Sequence, residues 1–193
     1  YISITNVLLL PAVIGGFIVA IITIRKKEWA PITVPIYGVL QGIFLGIISN
    51  VFNAMYDGIV ITAISYTLCI LFALLSVYRL GLIKPTENFK LGLAAATGGI
   101  AIVYLANFIM SFFGSGIPLM DINNSSMYSI GFSVFVIVIA SMNLVLDFDF
   151  IEEGAEKGAP KYMEWYGAFG LLVTLIWLYL EILRLLAKLN SRK

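Results

Sequence analysis

Residues 134–147 read VFVIVIASMNLVLD, and residues 171–181 read LLVTLIWLYLE. Each stretch is predominantly apolar and ends on a carboxylate, Asp147 in the first and Glu181 in the second. A charged group in such a position is costly in a bilayer, so intramembrane carboxylates normally face the interior of a helix bundle and mark the route of a proton or an ion. The two acids therefore predict a membrane-embedded helical fold and the place where its function resides.

The composition places the whole chain in a membrane. Hydrophobic residues make up 61% of the 193 residues, charged residues make up 12%, and the mean hydropathy is +1.00. Soluble domains carry about a quarter charged residues. The net charge of +1 gives no electrostatic reason to expect nucleic acid as a partner. These figures predict an integral membrane protein with the lipid bilayer as its surroundings.

The scarcity of cysteine and histidine limits the chemistry. The single cysteine, Cys69, excludes an intrachain disulfide and a cysteine metal cluster, and we expect neither a cofactor nor a resident metal. The chain has no histidine, which removes the usual switch near neutral pH. Any response to pH is therefore expected to come from carboxylates.

Six segments are long and apolar enough to cross a bilayer, which requires about 20 residues each. We predict an all-α integral membrane protein with a single polytopic transmembrane domain over residues 1–193. The predicted spans are Ile4–Ile24, Ile32–Phe52, Ile59–Leu80, Leu91–Phe113, Tyr128–Leu146 and Trp165–Ala187. The fifth helix is expected to continue past Asp147 until the stretch Gly154–Pro160 ends it.

Basic residues predict the orientation of the spans. Lysines and arginines lie in the first, third and fifth connections, whereas the connections near Asp57 and Asp121 contain none. By the positive-inside rule, the basic connections face the cytoplasm. A sixth full span would place the basic tail, which includes Lys188, on the outside against the same rule. Two interpretations stay open: the last segment is re-entrant, or the earlier charges dominate.

We predict that Asp147 and Glu181 pair across the last two helices. Two carboxyl groups held close do not both ionise readily, so the pair would take up a proton as one unit and act as a pH sensor without histidine. Arg25, at the end of the first span, is either their counter-ion or an anchor under the positive-inside rule. A local pair of Glu181 with Arg184, three residues later on the same helix face, is the alternative. Asp149 diverges from Asp147 by about 200° around a helix and is expected at the cytoplasmic interface, so we count Asp149 and Arg184 as secondary candidates.

A plain hairpin between the last two helices would conflict with the Asp147–Glu181 pair. If the chain turns back near Gly158, the residue level with Asp147 lies close to Gly170. Glu181 then lies about 15 Å too deep. The pair therefore requires strong tilt or a connection that does not simply turn back.

Five stretches of the chain carry a resemblance to a known family. They read NLVLDFDFIEEG (143–154), GAPKYMEWYGAFGLLVTLIWLYLEILRLL (158–186), KKEWAP (26–31), YGVLQGIFLG (37–46) and GGIAIVYL (98–105). Together they resemble the bacterial YccA-like branch of the Bax inhibitor family, and the resemblance covers essentially the whole chain.

The resemblance implies a fold and a pair of site residues. The family fold has seven transmembrane helices with the last one central, so a further helix is expected before Tyr1. Some members are pH-sensitive calcium leak channels, in which one aspartate on each of the last two helices controls opening and interacts with an arginine. Asp147 matches the first aspartate, Glu181 the second, and Arg25 falls near the arginine. The second acid is here a glutamate, one methylene longer, and the connection between the acids is longer than in the channel-like members.

We therefore predict a pH-sensitive leak channel or transporter for cations, calcium foremost, that is gated by the carboxylate pair and is not an enzyme. The alternative is a non-transporting membrane protein that associates with a membrane-bound AAA protease or a larger complex. The long acidic connection of residues 149–164 suits this alternative. The expected location is the cell (inner) membrane of a bacterium, as a multi-pass protein.

Overall fold

Six long helices make up the part of the chain that the structure describes. The computed structural model describes residues 2–114 and 116–192. In chain order the helices are α1 (Ile2–Arg25), α2 (Ala30–Met55), α3 (Ile59–Arg79), α4 (Glu87–Phe112), α5 (Met127–Glu156) and α6 (Tyr162–Asn190). Each of the six predicted spans lies within one of these helices, except that two spans extend one residue beyond the helix end. The all-α prediction is confirmed.

The outer surfaces of the helices are suited to lipid. All six are long and apolar enough to cross a membrane. Large apolar side chains project outward, among them Phe17, Ile61 and Leu105, which are 67%, 72% and 59% exposed. A helix satisfies its own backbone hydrogen bonds, which is what the bilayer core demands of a spanning segment. The chain is a multi-pass membrane protein, as predicted.

The fifth helix ends in a defined motif and turns back into the sixth. Gly158 has a φ of 62°, in the left-handed region that favours glycine. The amide of Ala159 donates to the carbonyl of Gly154 at 2.9 Å, and the amide of Gly158 donates to the carbonyl of Ala155 at 3.2 Å. This is a Schellman ending. The predicted helix ending within Gly154–Pro160 is confirmed, and α5 and α6 form a plain hairpin.

The bundle has two ends that differ in composition. The Arg25 end contains the end of α1, the α3–α4 connection and the α5–α6 hairpin, and Lys90 of α4 contacts Asp149 of α5 there. The Lys188 end contains the α4–α5 connection and the end of α6. These two segments are joined by a hydrogen bond from Lys188 to the carbonyl of Leu119 at 2.8 Å.

The last helix is the central one, as predicted. α6 packs against α2, α3 and α5, and its Leu178 and Leu183 side chains are fully buried. It runs without a break from Tyr162 to Asn190 and reaches the Lys188 end. The re-entrant interpretation of this segment is therefore wrong, because a continuous helix of 29 residues crosses the whole bundle.

Candidate ion pathway along the last helix

α6 carries one polar face through an otherwise apolar bundle. Gly167, Thr174, Glu181 and Lys188 recur every seven residues, and seven residues return a helix almost to the same face. Successive members therefore lie about 10 Å apart along the helix axis. Thr174, Glu181 and Lys188 are 8%, 2% and 0% exposed, so this face points into the bundle.

A cavity of about 580 Å³ lies near the Arg25 end of this face, and we call it the Asp147 cavity. Asp147 of α5 lines it together with Gly170 and Thr174 of α6. The Oδ2 atom of Asp147 is buried and has no hydrogen-bond partner in the described part of the chain. A Cβ atom on Gly170 would lie 3.2 Å from Asp147 Oδ1. The glycine therefore leaves room for the carboxyl group against α6.

Charged groups of α4 and α5 line the same cavity. Lys90 Nζ lies 2.8 Å from Asp149 Oδ2 and 3.4 Å from Glu87 Oε1. The Asp149 side chain is 25% exposed and lines the cavity together with Asp147. Glu153, one turn further along α5, is exposed and pairs with Lys157. Three carboxylates thus border this cavity, and one lysine offsets part of their charge.

An apolar layer interrupts the polar face beyond the Asp147 cavity. Leu144 and Ala140 lie on α5 between Asp147 and the Lys188 end, and Leu178 lies on α6 between Thr174 and Glu181. All three side chains are 0% exposed, and they belong to one packed cluster. Close-packed apolar side chains leave no room for water, so the polar face is not continuous at this level.

Beyond the apolar layer, the charge of Glu181 is fully compensated. Glu181 Oε1 accepts hydrogen bonds from the Tyr104 hydroxyl at 2.5 Å and from Arg184 at 3.0 Å. Arg184 also donates to the Tyr104 hydroxyl at 3.0 Å and lies 5.3 Å from the centroid of the tyrosine ring. A buried acid is stable when a cation and a further donor satisfy it. The local Glu181–Arg184 pair, one of the two interpretations open from the sequence, is the one present.

The structure does not bring Asp147 and Glu181 together, which corrects the predicted direct pair. The plain hairpin places Gly170 beside Asp147. Glu181 follows Gly170 by eleven positions, so it lies about 16 Å further along α6. The connection turns back at once, so nothing shifts the register of the two helices.

Arg25 lies on the surface rather than in the predicted cluster. It ends α1 and is exposed, and its neighbour Ile24 lines the Asp147 cavity. Within residues 2–114 and 116–192, the four ion pairs do not include Arg25. Its position fits the anchor interpretation, and it lies at the cavity end without contacting the acids.

Three further charged or polar residues of this region were not predicted from the sequence. Lys90 and Tyr104 are on α4, and only the packing of α4 against α5 and α6 brings them to Asp149 and Glu181. Lys188 was counted with the basic tail. The signal that could have identified Lys188 is its spacing, seven residues after Glu181 on the same face of the helix.

The arrangement offers oxygen-bearing side chains around a cavity and no dense metal-binding cluster among the described residues. In the part of the chain that the structure describes, no three histidine, cysteine, aspartate or glutamate side chains gather closely enough to hold a metal ion. The Asp147 cavity instead presents oxygen atoms of Asp147, Asp149 and Thr174. Oxygen is the ligand that Ca²⁺ prefers, in flexible geometry and with waters completing the shell.

Fold and site together define a polytopic membrane protein whose central last helix carries ionisable groups through the bundle. Over residues 1–191 the chain matches the family described as Bax inhibitor 1 like, and it belongs to that family. No curated protein and no solved structure gives a significant match. The Bax inhibitor family expected from the sequence is thereby confirmed, and the YccA-like branch stays a prediction.

Proposed function

We propose that the protein is a pH-sensitive leak channel for cations, calcium foremost, in the inner membrane of a bacterium, and that it is not an enzyme. One observation carries the proposal: Asp147 has a buried carboxylate oxygen without a partner among the described residues, and the residue lines a cavity of about 580 Å³ on the polar face of the central helix. A buried carboxylate needs compensation. Here the available compensation is a proton or a cation that enters the cavity.

Competition between these two ligands supplies the pH response. When Asp147 is ionised, a cation in the cavity exchanges part of its hydration shell for carboxylate and hydroxyl oxygens. When Asp147 is protonated, the charge that attracts the cation is gone. Cation flux should therefore rise as the pH rises and fall as it is lowered. This mechanism requires one acid and replaces the predicted Asp147–Glu181 pair.

Passage through the bundle requires the apolar layer to open. The layer spans the distance between the levels of Thr174 and Glu181, which is about 10 Å along α6, and Leu178 of α6 is fully buried within it. A shift or rotation of α6 against α5 would place Asp147 and Glu181 on one wetted path. Hydrophobic constrictions that open by wetting are a known way to control ion flow.

The test is calcium uptake into proteoliposomes at several values between about pH 5 and about pH 8, the range in which a buried carboxyl group can titrate. The wild-type protein should leak calcium faster at the upper end of the range. Asp147→Asn should lower the flux and remove its pH dependence. Glu153→Gln, a change at an exposed cavity residue, serves as the matched control and should keep the pH profile.

Two outcomes would contradict the proposal. A pH profile that is unchanged in Asp147→Asn would exclude control by this carboxylate. A protein that passes no cation at any pH, yet co-purifies with a membrane-bound AAA protease, would favour the non-transporting alternative.

A further inference from the structure

Lys188 is a buried lysine with an unusual set of partners. Its side chain is 0% exposed. The ammonium Nζ donates to the carbonyl of Leu119 at 2.8 Å, to the carbonyl of Ser129 at 3.2 Å and to the hydroxyl of Ser133 at 2.9 Å. An ammonium group has three N–H donors, so the three oxygens satisfy it completely.

Among the residues that the structure describes, no carboxylate neutralises this ammonium directly. Within residues 2–114 and 116–192, no carboxylate oxygen lies within 4.0 Å of Lys188 Nζ. Glu181 precedes Lys188 by seven residues on the polar face, and it is already paired with Arg184. Asp121 and Arg184 are further charges near Lys188. The ammonium is thus held almost entirely by neutral oxygens, as a free cation is held in a selectivity filter.

We propose that Leu119 O, Ser129 O and Ser133 Oγ form a cation-binding cage of neutral oxygens, which accepts a primary ammonium and which the Lys188 ammonium occupies as a tethered ion. Two of the three ligands, the carbonyl of Ser129 and the hydroxyl of Ser133, belong to buried residues, which are 0% and 1% exposed. The third, Leu119 O, belongs to the connection that closes the Lys188 end.

The cage deepens the proposed function and rests on it for its consequence in transport. It lies on the same polar face as the Asp147 cavity, at the opposite end of α6. An ammonium fixed there fills the last oxygen site of the path and repels an incoming cation. Lys188 therefore closes the Lys188 end, and a movement of α6 that withdraws it would leave the oxygens for a passing ion.

The first experiment tests the cage without any transport. Thermal unfolding of the purified protein in detergent should show a midpoint lower by about 5 °C in Lys188→Ala. Propylammonium, which replaces the missing part of the side chain, should restore the midpoint at about 1–10 mM, the range expected for three hydrogen bonds from a charged donor. Propanol and tetramethylammonium, which lack either the charge or the N–H donors, should not.

Equal recovery with propanol, or none with propylammonium, would overturn the cage. Lys188→Met offers a second measurement, because methionine fills the volume of the stem and removes only the ammonium. A midpoint equal to that of the wild type in Lys188→Met would also overturn it.

Two serines on α5 provide a matched comparison if Lys188 variants do not fold. Ser133 accepts from Lys188, whereas the hydroxyl of the similarly buried Ser141 bonds to the carbonyl of Ile137 in its own helix at 2.7 Å. Ser133→Ala should lower the unfolding midpoint more than Ser141→Ala does. Equal midpoints would count against the cage.

The second experiment tests closure of the Lys188 end. Lys188→Ala in proteoliposomes should leak monovalent cations faster than the wild type, and propylammonium should block that leak while leaving the wild-type flux unchanged. A wild-type leak together with an unchanged or unblocked Lys188→Ala leak would reduce the cage to a structural anchor and overturn the closure. If no variant conducts, the proposed function fails, while the thermal experiment still decides the cage.

Discussion

The two ends of the polar face on α6 differ in how far their buried charged groups are satisfied by hydrogen bonds and ion pairs. At the Asp147 cavity, Asp147 lines the cavity and has one buried carboxylate oxygen without a partner in the described part of the chain. Beyond the apolar layer, Glu181, Arg184 and Lys188 each have hydrogen-bond partners. The polar face of α6 therefore passes a carboxylate of α5 with a buried oxygen that has no partner among the described residues, and it carries a cluster of its own in which each charged group is bonded.

Under the proposed function, the contrast separates the site where ions exchange from the region that stabilises the fold. An unpaired buried charge raises the free energy of the folded protein, so the Asp147 carboxyl gains from any proton or cation that arrives. A completed cluster loses stability when any member is removed. We infer that the Asp147 cavity responds to the solution, and that the Glu181–Lys188 region fixes α6 against α4 and α5.

Of the variants that test this comparison, Glu181→Gln should have the largest effect on stability. The change leaves Arg184 and Lys188 near each other without the buried acid, which should lower the free energy of unfolding by about 3 kcal/mol. Asp147→Asn should leave stability unchanged or raise it by about 1 kcal/mol, because it removes an uncompensated charge. Denaturant unfolding in detergent measures both. An equal loss in the two variants would show that the two ends do not differ.

Tyr104→Phe should have an intermediate effect. It removes the hydroxyl that joins Glu181 and Arg184 but keeps their ion pair and the ring beneath the guanidinium, so we expect a loss of about 1–2 kcal/mol. Tyr128→Phe, at an exposed tyrosine of α5, is the control and should leave stability unchanged. A loss as large as that of Glu181→Gln would mean that the hydroxyl, not the arginine, compensates the acid.

Lys90→Met should act on transport more than on stability. Lys90 is partly exposed and pairs with Asp149 at the cavity, and exposed pairs of this kind contribute little to folding. Removing its charge makes the cavity more negative, which should raise calcium uptake about two- to fivefold at low ionic strength. The gain should shrink as salt is added. Lys161→Met, at the exposed start of α6, is the control, and an equal gain there would attribute the effect to net charge alone.

Gly170→Ala should have the smallest effect of these variants, and the effect should be on calcium uptake through the Asp147 cavity. The added Cβ would lie 3.2 Å from Asp147 Oδ1, so the carboxyl must move by a few tenths of an ångström. Calcium uptake should fall about twofold because a coordinating oxygen is displaced. Gly46→Ala, with no atom within 4 Å of the new Cβ, should keep the flux and stabilise α2 by about 0.5–1 kcal/mol. Equal calcium flux in the two variants would show that Gly170 does not line the ion path.

Hydropathy along the chain was sufficient for the fold but not for the contacts between helices. Spans of about 20 apolar residues are set by bilayer thickness, a local property of the sequence, and the hairpin ending at Gly158 follows from local turn chemistry. The pairing of Glu181 with Arg184 was also within reach, because residues three apart share a helix face. Tyr104 and Lys90 were not, because no local rule states which face of α4 meets α5 or α6.

The sequence alone therefore determined the membrane environment, the six helices, the central place of the last one through its family, and the identity of the acids. Tertiary structure decided which charges meet. The α5–α6 register set Gly170, rather than Glu181, beside Asp147, and the packing of the 117–133 region around the end of α6 buried Lys188. The physical reason is that helix formation and membrane insertion depend on neighbours along the chain, whereas compensation of a buried charge depends on groups that only folding brings within hydrogen-bond distance.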